Sequence, residues 1–272
     1  MIKIKYCGED RRLSKVVLDK YNDISYGYFQ KLLRKADIKV NNRRIKEDIV
    51  IVDGDDIVIY NREKEMEFNP RIIYEDNNVI IFYKPIKIAS DGENSFETKV
   101  HKFINDNYIL CHRLDTNTSG LLLFAKTKEI FEEIKKLFNQ KLIEKYYRAT
   151  VYGKVEKEET FIDYLVKDEI KGKVYVYGGK VKNSKEIITK ITPVQYDGET
   201  SEIDVKLITG RTHQIRAHLA YKGYPIIGDS KYGREEINRK YNKKTQSLIS
   251  YKIIFKSDVG VLSYLYNKEI SL

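Results

Sequence analysis

The sequence predicts an α+β protein, a mainly antiparallel mixed sheet flanked by helices and loops, with a small α/β module ahead of it. Short alternating runs are the first reason: Ile203, Val205 and Leu207 interleave with Glu202, Asp204 and Lys206, the two-residue period of a half-buried strand. The second is a stretch of helical spacing among them, Ile130, Phe131, Ile134, Leu137 and Phe138. The third is a pair of apolar runs, Ile72–Tyr74 and Val79–Phe82, facing each other across the turn Asp76-Asn77-Asn78. Strands and helices mixed in this way favour α+β architecture.

The elements follow in order. Leu13, Val16, Val17 and Leu18 suit the buried side of a short helix. Phe29, Leu32 and Leu33 suit a second, which leaves Gln30, Lys31, Arg34 and Lys35 outward. Ile38-Lys39-Val40 alternates as a strand before the turn Asn41-Asn42, and Gly54-Asp55 turns into Ile57-Val58-Ile59. The polar run 61–67 reads as a linker, with Pro70 beyond it, so the organisation is a module over 1–62, a linker over 63–69 and a larger domain over 70–272. In that domain Leu121–Ala125 is a buried strand, and Thr127 caps the helix that follows. Lys145–Tyr152 is a strand with Tyr147, Ala149 and Val151 on one side and Tyr146, Arg148 and Tyr152 on the other. Val174–Tyr177 and Lys185–Ile191 bracket a Gly178-Gly179 turn, and a helix starts near Thr212.

Composition narrows the function. The chain has 272 residues, 42% of them hydrophobic, enough for a sizeable core. Its net charge is +10, which points toward a polyanionic partner. Residues 11–46 carry eleven basic side chains against Asp19, Asp23 and Asp37, a local charge of +8. This stretch includes Arg34, Lys35, Lys39, Arg43 and Arg44 and suits an RNA backbone, although a solvated charged face also fits. No apolar run reaches the length of a membrane span, and the N-terminus alternates like a strand instead of forming a signal peptide. Only Cys7 and Cys111 are present, so no disulfide framework or thiolate zinc site is expected, and a reducing cytoplasm is the expected setting.

Three polar segments sit where strands end. In His112–Gly120, Asp115 precedes the buried strand; on position alone it closes an Asx-turn onto Asn117. In Thr209–Leu219, helical spacing puts Thr212 and His213 on the same side as Arg216, which needs a carboxylate or phosphate partner if buried. Gly228–Gly233 has the look of a Gly-bounded turn.

Together these segments resemble the RluA-type RNA pseudouridine synthases. The likeness lies in His112-Arg113-Leu114-Asp115-x-x-Thr118-Ser119-Gly120-Leu121-Leu122, in Gly210-Arg211-Thr212-His213-Gln214-Ile215-Arg216-x-His218 and in Gly228-Asp229-x-x-Tyr232-Gly233. It extends to Lys145-x-Tyr147-x-Ala149-x-Val151-x-Gly153 and to Ile73–Asp76 with Lys84-Pro85. The first module resembles an S4 RNA-binding domain through Leu32-x-Arg34, Val40-Asn41 and Gly54-Asp55-x-Ile57.

The resemblance implies isomerisation of uridine in RNA to pseudouridine without cofactor or metal, by a cytoplasmic monomer acting on large-subunit ribosomal RNA. Transfer RNA, or a non-catalytic role in ribosome assembly, is the alternative. By the same resemblance Asp115 is the catalytic aspartate, as nucleophile or as base at the sugar; Tyr147 contacts the uracil and takes the C5 proton; Arg216 pairs with the aspartate. Arg113 fills the stack vacated by the flipped base, and Arg211 joins it among the RNA-binding residues. An adjacent guanidinium favours a charged carboxylate, and a stacked nucleotide must be flipped out at a cost of a few kcal/mol. Many relatives carry a histidine where this chain has Ile249.

Overall fold

The computed structural model describes residues 2–21, 24, 26–60 and 68–272; the expected linker residues 61–67 lie outside the described residues. The chain divides into two compact units, Met1–Phe68 and Asn69–Leu272.

The first unit runs β1 (Ile2–Lys5), β2 (Arg11–Arg12), α1 (Leu13–Lys20), α2 (Tyr26–Arg34), β3 (Ile38–Val40), β4 (Arg43–Ile45), β5 (Val50–Ile51), β6 (Asp56–Ile59). Four strands form an antiparallel sheet in the order β1-β6-β3-β4, and β2 pairs with β5. The β3–β4 turn takes left-handed φ at both Asn41 (48°) and Asn42 (65°), which asparagine tolerates better than most residues. Leu13, Val17, Phe29, Leu32 and Leu33 of the helices pack with Ile38, Ile57 and Ile59 of the sheet. That packing buries the apolar stripes and leaves Arg34, Lys35, Arg43 and Arg44 exposed, with Lys39 half-buried.

The second unit begins with β7 (Ile72–Glu75), β8 (Val79–Lys84), α3 (Phe96–Phe103), β9 (Ile109–Leu110), β10 (Ser119–Ala125) and α4 (Lys128–Asn139). It continues through β11 (Ile143–Tyr152), β12 (Glu159–Asp168), β13 (Lys173–Tyr177), β14 (Lys185–Tyr196) and β15 (Thr200–Leu207). It ends with α5 (Gln214–Tyr221), α6 (Glu235–Lys240), β16 (Leu248–Phe255) and β17 (Glu269–Ser271). One 11-stranded sheet runs β13-β12-β14-β15-β11-β16-β10-β8-β7, with β17 on β16 and β9 on β10. Its pairings are antiparallel except β10 with β16.

From Leu121 to Ala125 β10 is apolar because both its faces are covered. Leu121, Leu123 and Ala125 share a core with Ile130, Ile134 and Leu137 of α4, whose first turn is capped by the Thr127 hydroxyl accepting from Ile130 N–H. On the other face Phe82, Phe96 and Phe124 meet ring to ring, with centroids 5.5 to 6.4 Å apart. In β11, Tyr147, Ala149 and Val151 are buried, and Arg148 on the opposite face is paired with Glu202 and Asp204.

The strands expected on either side of Gly178-Gly179 are β13 and β14, and β12 lies between them in the sheet. One expectation changes. Helix α5 starts at Gln214 because His213 adopts left-handed φ (51°), so Thr212 and His213 precede the helix and do not share a helical side with Arg216.

Candidate active site

A cleft of about 860 Å³ opens in the second unit, between the loop before β10, strand β11 and the loop leading into α5. Asp115, Tyr147, Arg216, Arg113 and Arg211 all line it. Arg34, Lys35, Lys39, Arg43 and Arg44 belong to the first unit and are not part of this site.

Asp115 sits on a loop clamped on several sides. Leu114 exchanges two hydrogen bonds with the Ser90 hydroxyl, at 2.8 and 2.9 Å. The fully buried Lys84 ammonium donates to the carbonyls of Pro85, Ile88 and Thr116, and Thr118 Oγ accepts from Gln246. Burial pushes the Lys84 pKa down to about 8, against the opposing pull of Asp115. Immediately after the loop, Gly120 has φ 121°, and a Cβ there would lie 2.0 Å from the carbonyl oxygen of Ser250. Only glycine lets β10 approach β16 this closely, and the approach fixes where Asp115 ends up.

The Asp115 carboxylate makes no Asx-turn. Its Oδ2 accepts from Arg216 Nη1 at 2.8 Å, while the turn is closed by Thr118 N–H donating to the Asp115 carbonyl at 2.9 Å. Arg216 is itself held by Asp229, Nε to Oδ2 at 2.7 Å and Nη2 to Oδ1 at 3.0 Å. Asp229 is buried and also accepts the N–H groups of Lys231 and Tyr232, which is how a Gly-bounded turn becomes an arginine clamp. Burial alone would lower the Arg216 pKa; the hydrogen bonds and charge of Asp229, then Asp115, more than offset it and hold the guanidinium above its ordinary value. Burial would raise Asp229, and Arg216 with the two backbone donors brings it below the usual carboxylate range.

Tyr147 faces Asp115 from the sheet and is 4% exposed. Burial, with the Asp115 charge adding, pushes its phenol well above the ordinary value. Ser250, fully buried, stands opposite it on β16, at a register shift between Tyr146 and Tyr147. Arg113 reaches out at the cleft mouth, its side chain 73% exposed and its Nε 2.9 Å from Asp91. Arg211 is exposed on the neighbouring loop, whose backbone N–H at 211 donates to Gln214 Oε1.

Behind α5 a second polar chain fixes the helix. Gln214 Nε2 donates to the Ile188 carbonyl and to Thr189 Oγ; His218 contacts Thr189 Oγ through Nδ1 and Asp163 through Nε2, at 2.9 and 2.8 Å. Sequence reasoning passed over Ser90, Asp163, Thr189 and the clamp role of Asp229; only Asp229 carried a signal, a carboxylate set between Gly228 and Gly233. Among the described residues no group of three or more His, Cys, Asp and Glu side chains is placed to hold a metal ion, and no helix is long and apolar enough to cross a membrane.

The class of protein that this sheet and cleft belong to is shown by comparison with known proteins. Residues 78–221 match the family model described as RNA pseudouridylate synthase, and the chain belongs to that family. It is 29% identical to ribosomal large subunit pseudouridine synthase C of Rickettsia bellii, over 96% of this chain and 93% of that protein. It is 30% identical to a mitochondrial tRNA pseudouridine(32) synthase of Saccharomyces cerevisiae, over 85% of this chain but 53% of that protein. The structure of human RNA pseudouridylate synthase domain containing 1 superposes with a TM-score of 0.62 at 22% identity, covering 71% of this chain and 80% of that one, and shares the fold.

Proposed function

We propose that this pseudouridine synthase acts on large-subunit ribosomal RNA, with Asp115, Tyr147 and Arg216 as its catalytic residues and the first unit as an S4-like docking module. The observation that carries the chemistry is the Asp115–Arg216–Asp229 chain beside a buried tyrosine. A buried arginine shared between two carboxylates is a costly arrangement, which a protein that only bound RNA would not need.

The reaction breaks the N1–C1′ bond, turns the uracil, forms C5–C1′ and moves one proton from C5 to N1. It is redox-neutral and conserves every atom, so amino-acid side chains suffice. Asp115 supplies the carboxylate in either route, attack on the uridine or proton abstraction at the sugar. Arg216 holds that carboxylate in place, and Tyr147 supports the freed ring by stacking. Because the phenol is held protonated, Tyr147 accepts the C5 proton only as its own hydroxyl hydrogen moves to a neighbouring acceptor. Arg113, exposed at the mouth, is positioned to enter the stack that the flipped nucleotide leaves. We place the protein as a monomer in the cytoplasm, where its free Cys7 and Cys111 stay reduced.

Ribosomal RNA is favoured over transfer RNA by the near full-length match to the Rickettsia protein. The test is to map pseudouridines in total RNA from cells with and without the protein. Sites lost from large-subunit ribosomal RNA are expected; losses in transfer RNA alone would move the substrate, and no loss anywhere would overturn the assignment.

A further inference from the structure

Lys145 is two residues from Tyr147 on β11, so its side chain leaves the same face of the strand, rooted about 7 Å further along. It lines the cleft, with Nζ 4.8 Å from the centre of the Phe138 ring. The ammonium also lies against the loop before α5, 3.6 Å from where a Cβ on Gly210 would be. None of the described residues gives Lys145 Nζ a carboxylate or a hydrogen-bond acceptor, and the nearby titratable group, His112, is cationic or neutral. The lysines on the other face of the same sheet differ: Lys190, Lys206 and Lys252 pair with Glu158, Glu144 and Glu269. Burial, with no opposing charge, pushes the Lys145 pKa down to about 8.

An ammonium whose one compensating contact is the face of the Phe138 ring still lacks the counter-charge that a buried cation needs, and such a group in a cleft marks a binding function. We propose that Lys145 binds a phosphate of the RNA strand beside the nucleotide held over Tyr147. Phosphate is the one fully charged group in RNA, so it neutralises the ammonium where a uracil carbonyl does not. Arg211, exposed on the same loop next to Gly210, adds a second cation on that side of the cleft. This inference rests on the reading that the cleft holds an RNA nucleotide.

The experiment measures binding of short oligouridylate as a function of salt by the full-length protein, Lys145→Met and Lys145→Arg. Lys145→Met is expected to bind about tenfold more weakly, with a log–log salt slope shallower by about 0.7, and Lys145→Arg to recover most of both. On an oligomer whose linkages are uncharged methylphosphonates, the gap between wild type and Lys145→Met should close. Thermal melting of Lys145→Met should not fall, since the change removes an uncompensated charge. An unchanged salt slope, a gap that persists on the uncharged oligomer, or lost affinity explained by a lower melting temperature would each overturn the proposal. Turnover is not read in this assay. A protein that bound as expected yet isomerised no uridine would overturn the function proposed above and leave the phosphate contact standing.

Discussion

Arg216 meets Asp115 through one nitrogen, Nη1, because Asp229 occupies Nε and Nη2. The guanidinium is thus fixed by Asp229, and only its free edge addresses Asp115. Asp229→Asn leaves the shape but removes the charge, so the arginine loses its anchor and the aspartate its alignment. We expect a severe fall in kcat with RNA affinity largely kept, and a stability loss of about 3–5 kcal/mol from breaking a buried pair. Denaturant melts and single-turnover rates check both; a variant with normal turnover would show that Asp115 needs no such anchoring.

Asp115→Asn should abolish isomerisation while RNA binding survives, because both chemical routes need the carboxylate and neither needs it for docking. Substantial pseudouridine from the purified variant on a uridine-containing transcript would remove Asp115 from the chemistry.

Tyr147→Phe keeps the ring and should keep base stacking, but most turnover should go with the hydroxyl. In the wild type the phenol lies above its ordinary value. A base that had to be ionised beforehand would make the rate climb tenfold per pH unit up to about pH 10 and beyond. We expect no such climb in single-turnover rates above neutrality, and finding one would make a free phenolate the base.

Much of this was legible in the sequence, for physical reasons that differ by residue. The strand and helix periods of β10, β11 and α4 are set by burial on one or two faces, so apolar spacing shows them directly. Asp115 and Arg216 stand out as polar residues at strand ends, but residue spacing alone does not pair them, because 101 residues separate them and contacts at that range follow from sheet order; the family resemblance is what joins the two. β12 was missed because Ile162 points outward among polar neighbours and the alternation is masked. α5 starts two residues past Thr212 because a left-handed histidine leaves no trace in hydrophobic spacing.

His112 offers a pH test. Its ring packs against Phe138, Nε2 accepts from Leu123 N–H at 3.3 Å, and burial pushes its pKa down to about 3. In the unfolded chain it titrates near 6.5, so between about pH 6.5 and 3 the unfolded state binds the extra proton. The folded state's advantage is whole above pH 6.5 and is lost as the pH falls, by up to a few kcal/mol. His112→Gln should flatten the wild-type drop in stability over that window, read as denaturation midpoints at pH 7 and pH 4.5. Parallel drops in both proteins would show that the ring carries no such linkage.

The last prediction separates docking from chemistry. Arg34, Lys35, Arg43 and Arg44 are exposed on the first unit, so replacing all four by Gln should leave its core of Phe29, Leu32, Ile38 and Ile57 intact. Each side chain that neutralises a phosphate releases counterions, and its loss should make the log–log salt slope shallower by about 0.7 on single-stranded RNA. KM for a large transcript should therefore rise by an amount that shrinks as salt increases. The rate at saturating RNA should hold, because Asp115, Tyr147, Arg216 and the cleft around them all belong to the second unit. Salt-dependent binding and rate curves for the quadruple variant and the wild type decide the matter. Coincident curves would make the basic stretch a solvated face, and a fall in the saturated rate would tie it to the chemistry.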